Sequence, residues 1–375
     1  MMIPVRRTRV KRLRRFLWAS YPSGAGRRVK YSMPLLCLLI LLNMTADAGT
    51  HSGERQLVVE GSTDGQDSLE DIALAKTLPG HKGGTYALLF SPGGRYLVSG
   101  GWTDGTVRVW SVETGREVLF WRLGDPWITC LAISESGEYL ATGSGCGRVQ
   151  VWRLQTGELV GTLGKHGAEI SALCFASEDI LLSGGGDCTI RLWHVREKLL
   201  QRSVCTTGKV KAIVHIADND TFLAAVDVAL QGRACDTATL LVLDKELQVK
   251  STLETGGPLI SMVVKSNRGG QVAYSQPGGM YVIDSHTLET RIVIPTGWQR
   301  RLAWEADKLV SGGEIPSGAP GVHVWDPQTG LMLATHVAHP GGVVALSLTC
   351  DGKMIATCGR DDVIRLWQLS RWTGA

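Results

Sequence analysis

Five times the chain repeats one short strand ending in tryptophan. The copies are Val107-Arg108-Val109-Trp110, Val149-Gln150-Val151-Trp152, Ile190-Arg191-Leu192-Trp193, Val322-His323-Val324-Trp325 and Ile364-Arg365-Leu366-Trp367. Two looser copies, Leu240-Leu241-Val242-Leu243-Asp244 and Met280-Tyr281-Val282-Ile283-Asp284, fill the gap between the third and fourth. The anchor positions are then 110, 152, 193, 243, 283, 325 and 367, spaced by 42, 41, 50, 40, 42 and 42. A repeat unit of this size cannot bury its apolar face alone, so neighbouring copies must stack on one another. The aromatic composition agrees: 12 Trp exceed the 7 Tyr and 5 Phe, as a fixed tryptophan per unit requires.

Each unit divides further. Around the first anchor, Tyr86–Phe90, Tyr96–Ser99, Thr106–Trp110 and Glu117–Trp121 are short apolar or β-branched runs. Between them lie Ser91-Pro92-Gly93-Gly94, Thr103-Asp104-Gly105 and Glu113-Thr114-Gly115, the Gly/Pro/Asp clusters that turn a chain. Four strands every 40–45 residues mark the blade of a β-propeller, and seven anchors predict seven blades. The chain ends soon after Trp367, so the seventh blade lacks its outer strand. Ile72–Leu78 supplies it from the other end and closes the ring. The predicted class is therefore all-β, a seven-bladed propeller over 71–375.

Three units add a polar signature. His81, Ser99, Asp104 and Trp110 recur as His166, Ser183, Asp187 and Trp193, and as His339, Thr357, Asp361 and Trp367, each Asp six residues before its Trp. In this the chain resembles the WD-repeat family from Ile72 to Trp367. The resemblance implies that each quartet is a structural tetrad of His, hydroxyl, carboxylate and indole. The second unit departs, keeping Thr142 and Trp152 but with Asp125 in place of His and Cys146 in place of Asp. Units four and five lose the quartet, and unit four carries an insertion near Val226–Thr239. Unit six keeps Ser311 and Trp325 with an extended turn over Glu314–Gly321.

Charge divides the chain in two. Residues 1–48 hold ten Lys/Arg and one acid, which leaves 29 bases and 34 acids, a net −5, for 49–375. The overall +4 is thus a property of the start, and a nucleic-acid partner drawn by charge is not expected for the body. The start runs from a basic stretch to an apolar segment at Met33–Leu42 and then Thr45-Ala46-Asp47-Ala48, the order of a secretory signal cleaved after Ala48. The apolar core is far shorter than a membrane-spanning helix. Export to a periplasmic or extracellular space is expected. If the segment stays uncleaved, membrane contact falls to residues 33–44; a mis-assigned start would leave the chain in the cytoplasm. Residues 49–70 read as a polar linker.

No catalytic or metal constellation survives inspection, and no cofactor is expected. There is no Cys-x-x-Cys and no His-Glu-x-x-His. His336 and His339 lie three apart, but His339 already belongs to a quartet. After Cys37 eight cysteines remain, scattered without a disulfide framework, and buried free thiols are the larger expectation. Partners of WD-repeat proteins usually dock where the innermost strands begin, around the central channel, as the resemblance implies. Strand alternation then points Gly84 and Tyr86, Trp127 and Thr129, Glu169 and Ser171, Lys209 and Lys211, Pro258 and Ile260, Trp298 and Arg300, and Gly342 and Val344 to that face. Trp102 and Arg360 flank it from neighbouring turns. Exposed aromatics with arginine favour an interface. Packing of Trp127 and Trp298 between blades, and plain solvation of Lys209 and Lys211, are the alternatives. The expected function is a non-catalytic scaffold, a monomeric propeller binding an unidentified protein or peptide. A channel enzyme of hydrolase, metal or quinone type is the competing class.

Overall fold

The computed structural model describes residues 70–228, 237–258, 261–265, 270–314 and 320–371. The signal-like segment, Cys37, most of the linker, Cys235, Ile260 and the turn at 315–319 lie outside them. The described chain forms seven four-stranded antiparallel sheets. Blades one to six span Thr85–Arg122, Ile128–Lys165, Ile170–Cys205, Lys209–Thr255, Ser261–Pro295 and Gln299–His336. Blade seven takes three strands from Val343–Arg371 and its outermost from Glu70–Pro79. The innermost strands touch one another in order all the way round, with Thr85–Phe90 meeting those of both blade two and blade seven. The result is the closed seven-bladed propeller.

Closure is a full strand pairing. Glu70 to Pro79 run antiparallel to Arg371 back to Val363, with Leu78 opposite Ile364 and Leu74 opposite Trp367. The strand predicted at Ile72–Leu78 lies inside this span. Strand ends elsewhere extend the predicted runs by one or two residues, as hydrogen bonding continues past the last apolar side chain. In blade four the second strand ends at Val228 and the third begins at Thr237, so the lengthened spacing falls at the turn between them.

The core sits between blades. Val98, Val107 and Val109 of blade one pack on Ile128, Leu140 and Trp152 of blade two. Leu78, Ala356, Ile364 and Leu366 of blade seven pack on Leu88, Leu97 and Trp110 of blade one. Such close stacking demands glycine at one recurring place. A Cβ on Gly100 would stand 2.6 Å from the Ile128 side chain, on Gly143 2.7 Å from Ile170, and on Gly312 2.8 Å from Val343. In blades one, two, three and six the second strand omits a side chain where the next blade's leading apolar residue wedges in, which explains the recurrent Ser/Thr-Gly pairs.

Cutting Leu78 back tests the closure. The side chain is 2% exposed in the shared core of blades seven and one. Leu78→Ala should lower unfolding free energy by about 2–4 kcal/mol in chemical denaturation, a loss typical of buried Leu truncation.

Candidate functional site

Two layers of polar chemistry lie at the channel mouth, one buried and one open. In blade one the indole Nε1–H of Trp110 donates to the Ser99 hydroxyl at 2.9 Å, and Ser99 lies 2.8 Å from His81 Nε2. His81 Nδ1 lies 3.1 Å from Asp104. Only the indole can do nothing but donate and only the carboxylate nothing but accept. The chain of protons therefore runs Trp→Ser→His→Asp, with a neutral imidazole protonated at Nδ1. Blade three repeats it through Trp193, Ser183, His166 and Asp187 at 2.8, 2.7 and 2.9 Å. Blade seven does so through Trp367, Thr357, His339 and Asp361 at 2.8, 2.9 and 2.8 Å.

Further partners join these quartets. Thr106 and Thr189 donate to Asp104 and Asp187 at 2.9 and 2.8 Å. Arg191 pairs with Asp187 at 3.3 Å and Arg365 with Asp361 at 2.5 Å, as Arg108 does more loosely with Asp104. The signal for the arginines is in the sequence: Arg stands two places before Trp in all three units. Blade two replaces the His–Asp pair by Asp125, held by Ser144 and Arg148 at 3.3 Å each. Blade six buries His323 instead, its Nδ1 at 2.8 Å from Thr335, and keeps the Trp325–Ser311 bond at 2.8 Å. Among the described residues blade five shows no indole–hydroxyl bond; Tyr274 and Tyr281 stack there at 5.1 Å.

Burial sets the protonation of these groups. It pushes His81, His166 and His339 below the ordinary imidazole value, outweighing the neighbouring carboxylates that pull upward. For Asp187 burial works upward, but hydrogen bonds from His166, Gly167 N–H and Thr189 prevail and hold it at about 2.

The open layer is built by one repeated irregularity. In six blades the innermost strand carries a β-bulge one residue in, so that Tyr86, Thr129, Ser171, Lys211, Arg300 and Val344 each have no cross-strand partner. These are the positions that alternation assigned to the docking face. A bulge re-aims its extra side chain. Thr129 and Ser171 use their hydroxyls on the next blade's backbone, at Ile170 and Val210 carbonyls. Lys211 binds Asp227 at 3.0 Å, so the expected solvated cation is an ion pair; the near-complete burial of that carboxylate draws the ammonium in. Lys209, Glu169, Arg300 and Arg360 are exposed. Trp127 and Trp298 are 43% and 53% exposed and are not buried between blades.

The aromatic residues form a continuous surface. Tyr86 and Trp102 lie 4.7 Å apart, Trp102 and Trp127 6.2 Å apart, and the Arg301 guanidinium sits 5.4 Å over Tyr86. Arg301 was not among the expected residues. It reaches Tyr86 across blade seven, donating on the way to the Val344 carbonyl, and no local pattern reveals a contact between such distant repeats. Trp127 has φ of +63°, at the place where blades one and seven put Gly84 and Gly342, also with positive φ. A bulky residue there is strained, a condition that concentrates at functional sites. Below this face runs a channel of about 1120 Å³ lined by the innermost strands. Among the described residues no cluster of His, Cys, Asp and Glu is arranged to hold a metal. The described cysteines are all free, but only Cys358 is wholly buried, a correction to the expected burial: Cys130 and Cys174 are half-buried on innermost strands beside the channel, Cys146 and Cys188 half-buried in turns, and Cys205 and Cys350 exposed.

Comparison with known proteins matches the WD domain, G-beta repeat, at residues 73–111, 121–153, 157–194 and 330–368. Autophagy-related protein 16 of Arabidopsis thaliana is 23% identical over 83% of this chain and 61% of its own length. Telomerase protein component 1 of Rattus norvegicus is 24% identical over 84% of this chain and 12% of its own. The guanine nucleotide-binding protein subunit beta of Oryza sativa subsp. japonica is 31% identical over 38% of this chain and 42% of its own. The chain thus spans less than two thirds of these relatives.

Acid should loosen the tetrads. Histidines depressed below 6.5 hold fewer protons folded than unfolded, so their contribution is complete above pH 6.5 and is lost as pH falls through the folded value. Asp187 adds a second loss as pH falls from 3.8 towards about 2. Melting temperature should be flat from pH 8 to 7 and fall steadily below 6.5. Separately, Ser99→Ala strands His81 Nε2 and Trp110 Nε1 inside the blade and should cost about 2–4 kcal/mol by denaturant titration.

Proposed function

We propose that this chain, a WD-repeat β-propeller, is a non-catalytic protein-interaction scaffold that holds a partner on the channel-mouth face. The observation that carries the reading is the exposed, strained Trp127 at the end of the Tyr86–Trp102–Trp127 surface. Aromatic and arginine side chains supply most of the binding energy in protein interfaces. The chemistry of the channel agrees with a binding role: Cys130, a channel-lining thiol, is pushed up to about 12 by burial and is no nucleophile.

The relatives support the class and not the guest. Their names place them in autophagy, in telomerase and in a guanine-nucleotide-binding assembly. One fold serves partners of different kinds, so the partner has to be read from the face itself. We further propose that residues 1–48 direct export, from their basic, apolar, small-residue order. The intact mass of protein from its native host checks this: a chain starting at residue 49 supports export, and cytosolic protein retaining 33–48 refutes it.

The strained backbone provides a clean test of the face. Trp127→Gly relieves the positive φ while removing the ring, and its stability should stay within about 1 kcal/mol of the parent. Paired with Trp298→Ala, it should abolish capture of specific partners in affinity purification with the circular dichroism spectrum unaltered. Capture unchanged by both substitutions would exclude this face.

A further inference from the structure

We infer that the partner presents an acidic segment with an aromatic or aliphatic anchor, seated on the arc from blade six through blades seven and one to blade two. The inference rests on the channel-mouth reading above and names the chemistry of its ligand.

Charge is unevenly spread around the mouth. On the stated arc, Lys82, Arg300 and Arg360 are exposed, and Arg301 is half-buried over Tyr86. Among the described residues none of the four has an ion-pair partner. The acids of the same turns are mostly committed: Asp104 to His81 and Arg108, Asp361 to His339 and Arg365, and Asp125 to Arg148. Among the described side chains there only Asp362 is an exposed acid without an ion pair, which leaves four open cations against one open carboxylate in that set. The opposite side differs, with Glu169 exposed on blade three and Lys211 neutralised by Asp227 on blade four.

The aromatic rings alone would also suit a cationic ligand, since tryptophan faces attract ammonium groups. Here that site is already filled on one side, because Arg301 occupies the Tyr86 face. A second cation would meet the arginines at close range. An anionic segment gains from all four cations, and its apolar anchor gains the Trp102–Trp127 surface. Other exposed apolar residues do not compete: Val118 with Phe120, Leu199 with Leu200, and Leu331 with Met332 lie in pairs on or beside the outermost strands of three different blades, away from the innermost strands that form the mouth.

Panning a displayed library of random twelve-residue peptides on the full chain tests both levels. Binders lost on Trp127→Gly with Trp298→Ala should be rich in Asp and Glu around a Trp, Phe or Leu. Arg300→Glu with Arg360→Glu should weaken them about tenfold and favour their Lys-substituted counterparts. On the parent chain, raising NaCl from 50 to 500 mM should weaken them to a similar degree, about tenfold, as screening predicts. Face-dependent binders that are neutral or basic, or acidic ones indifferent to charge reversal and salt, would overturn the inference while leaving the docking face standing. Absence of any face-dependent binder would overturn both.

Discussion

Antiparallel pairing between Glu70–Pro79 and Val363–Arg371 turns a row of sheets into a single body. Four strands make a thin sheet with one apolar neighbour on each side, and none of the seven is stable unless both flanks are covered. A linear stack would leave two blades half-bare. Joining the two ends of the described chain removes that defect, so the blades lose or keep their packing together. It also places the most distant residues of the described fold in direct contact, and a pairing of such long range slows folding.

Within that closed frame the blades differ in how they satisfy their interior polar groups. Blades one, three and seven use a neutral imidazole between a hydroxyl and a carboxylate. Blade two substitutes a carboxylate held by arginine, and blade six turns a histidine in from the third strand. In blade five the buried Ser275 donates to the Gln299 carbonyl of blade six, and two tyrosines stack. These are different answers to one constraint: a donor or acceptor inside the sheet has to find a partner, in its own blade or the next. The four stretches that match the family pattern fall in blades one, two, three and seven and leave out blades four, five and six.

Much of this was legible before the structure. The seven anchors and the three quartets repeat at a fixed period, and a period is a statement about packing that survives sequence drift. Alternation placed Tyr86, Lys211 and Arg300 at the mouth because the bulge falls at the same offset from each leading apolar residue. What could not be read were contacts between repeats. Arg301 over Tyr86, Trp102 against Trp127, and the pairing of Lys211 with Asp227 depend on side chains meeting across gaps the period does not describe. The burial of the cysteines was misjudged for a related reason: composition gives their mean tendency, while Cys130 and Cys174 border the channel and Cys146 and Cys188 stand in turns.

The bulge carries a consequence for how such a protein changes over time. A residue with nothing opposite it in the ladder can be replaced without shifting the register or breaking a cross-strand backbone hydrogen bond of its own sheet. Tyrosine, threonine, serine, lysine, arginine and valine all occupy this one place in successive blades. The ring therefore separates the positions that hold its ladders together from those its ladders leave free to vary. A lineage can rewrite this face one side chain at a time while the scaffold stays put.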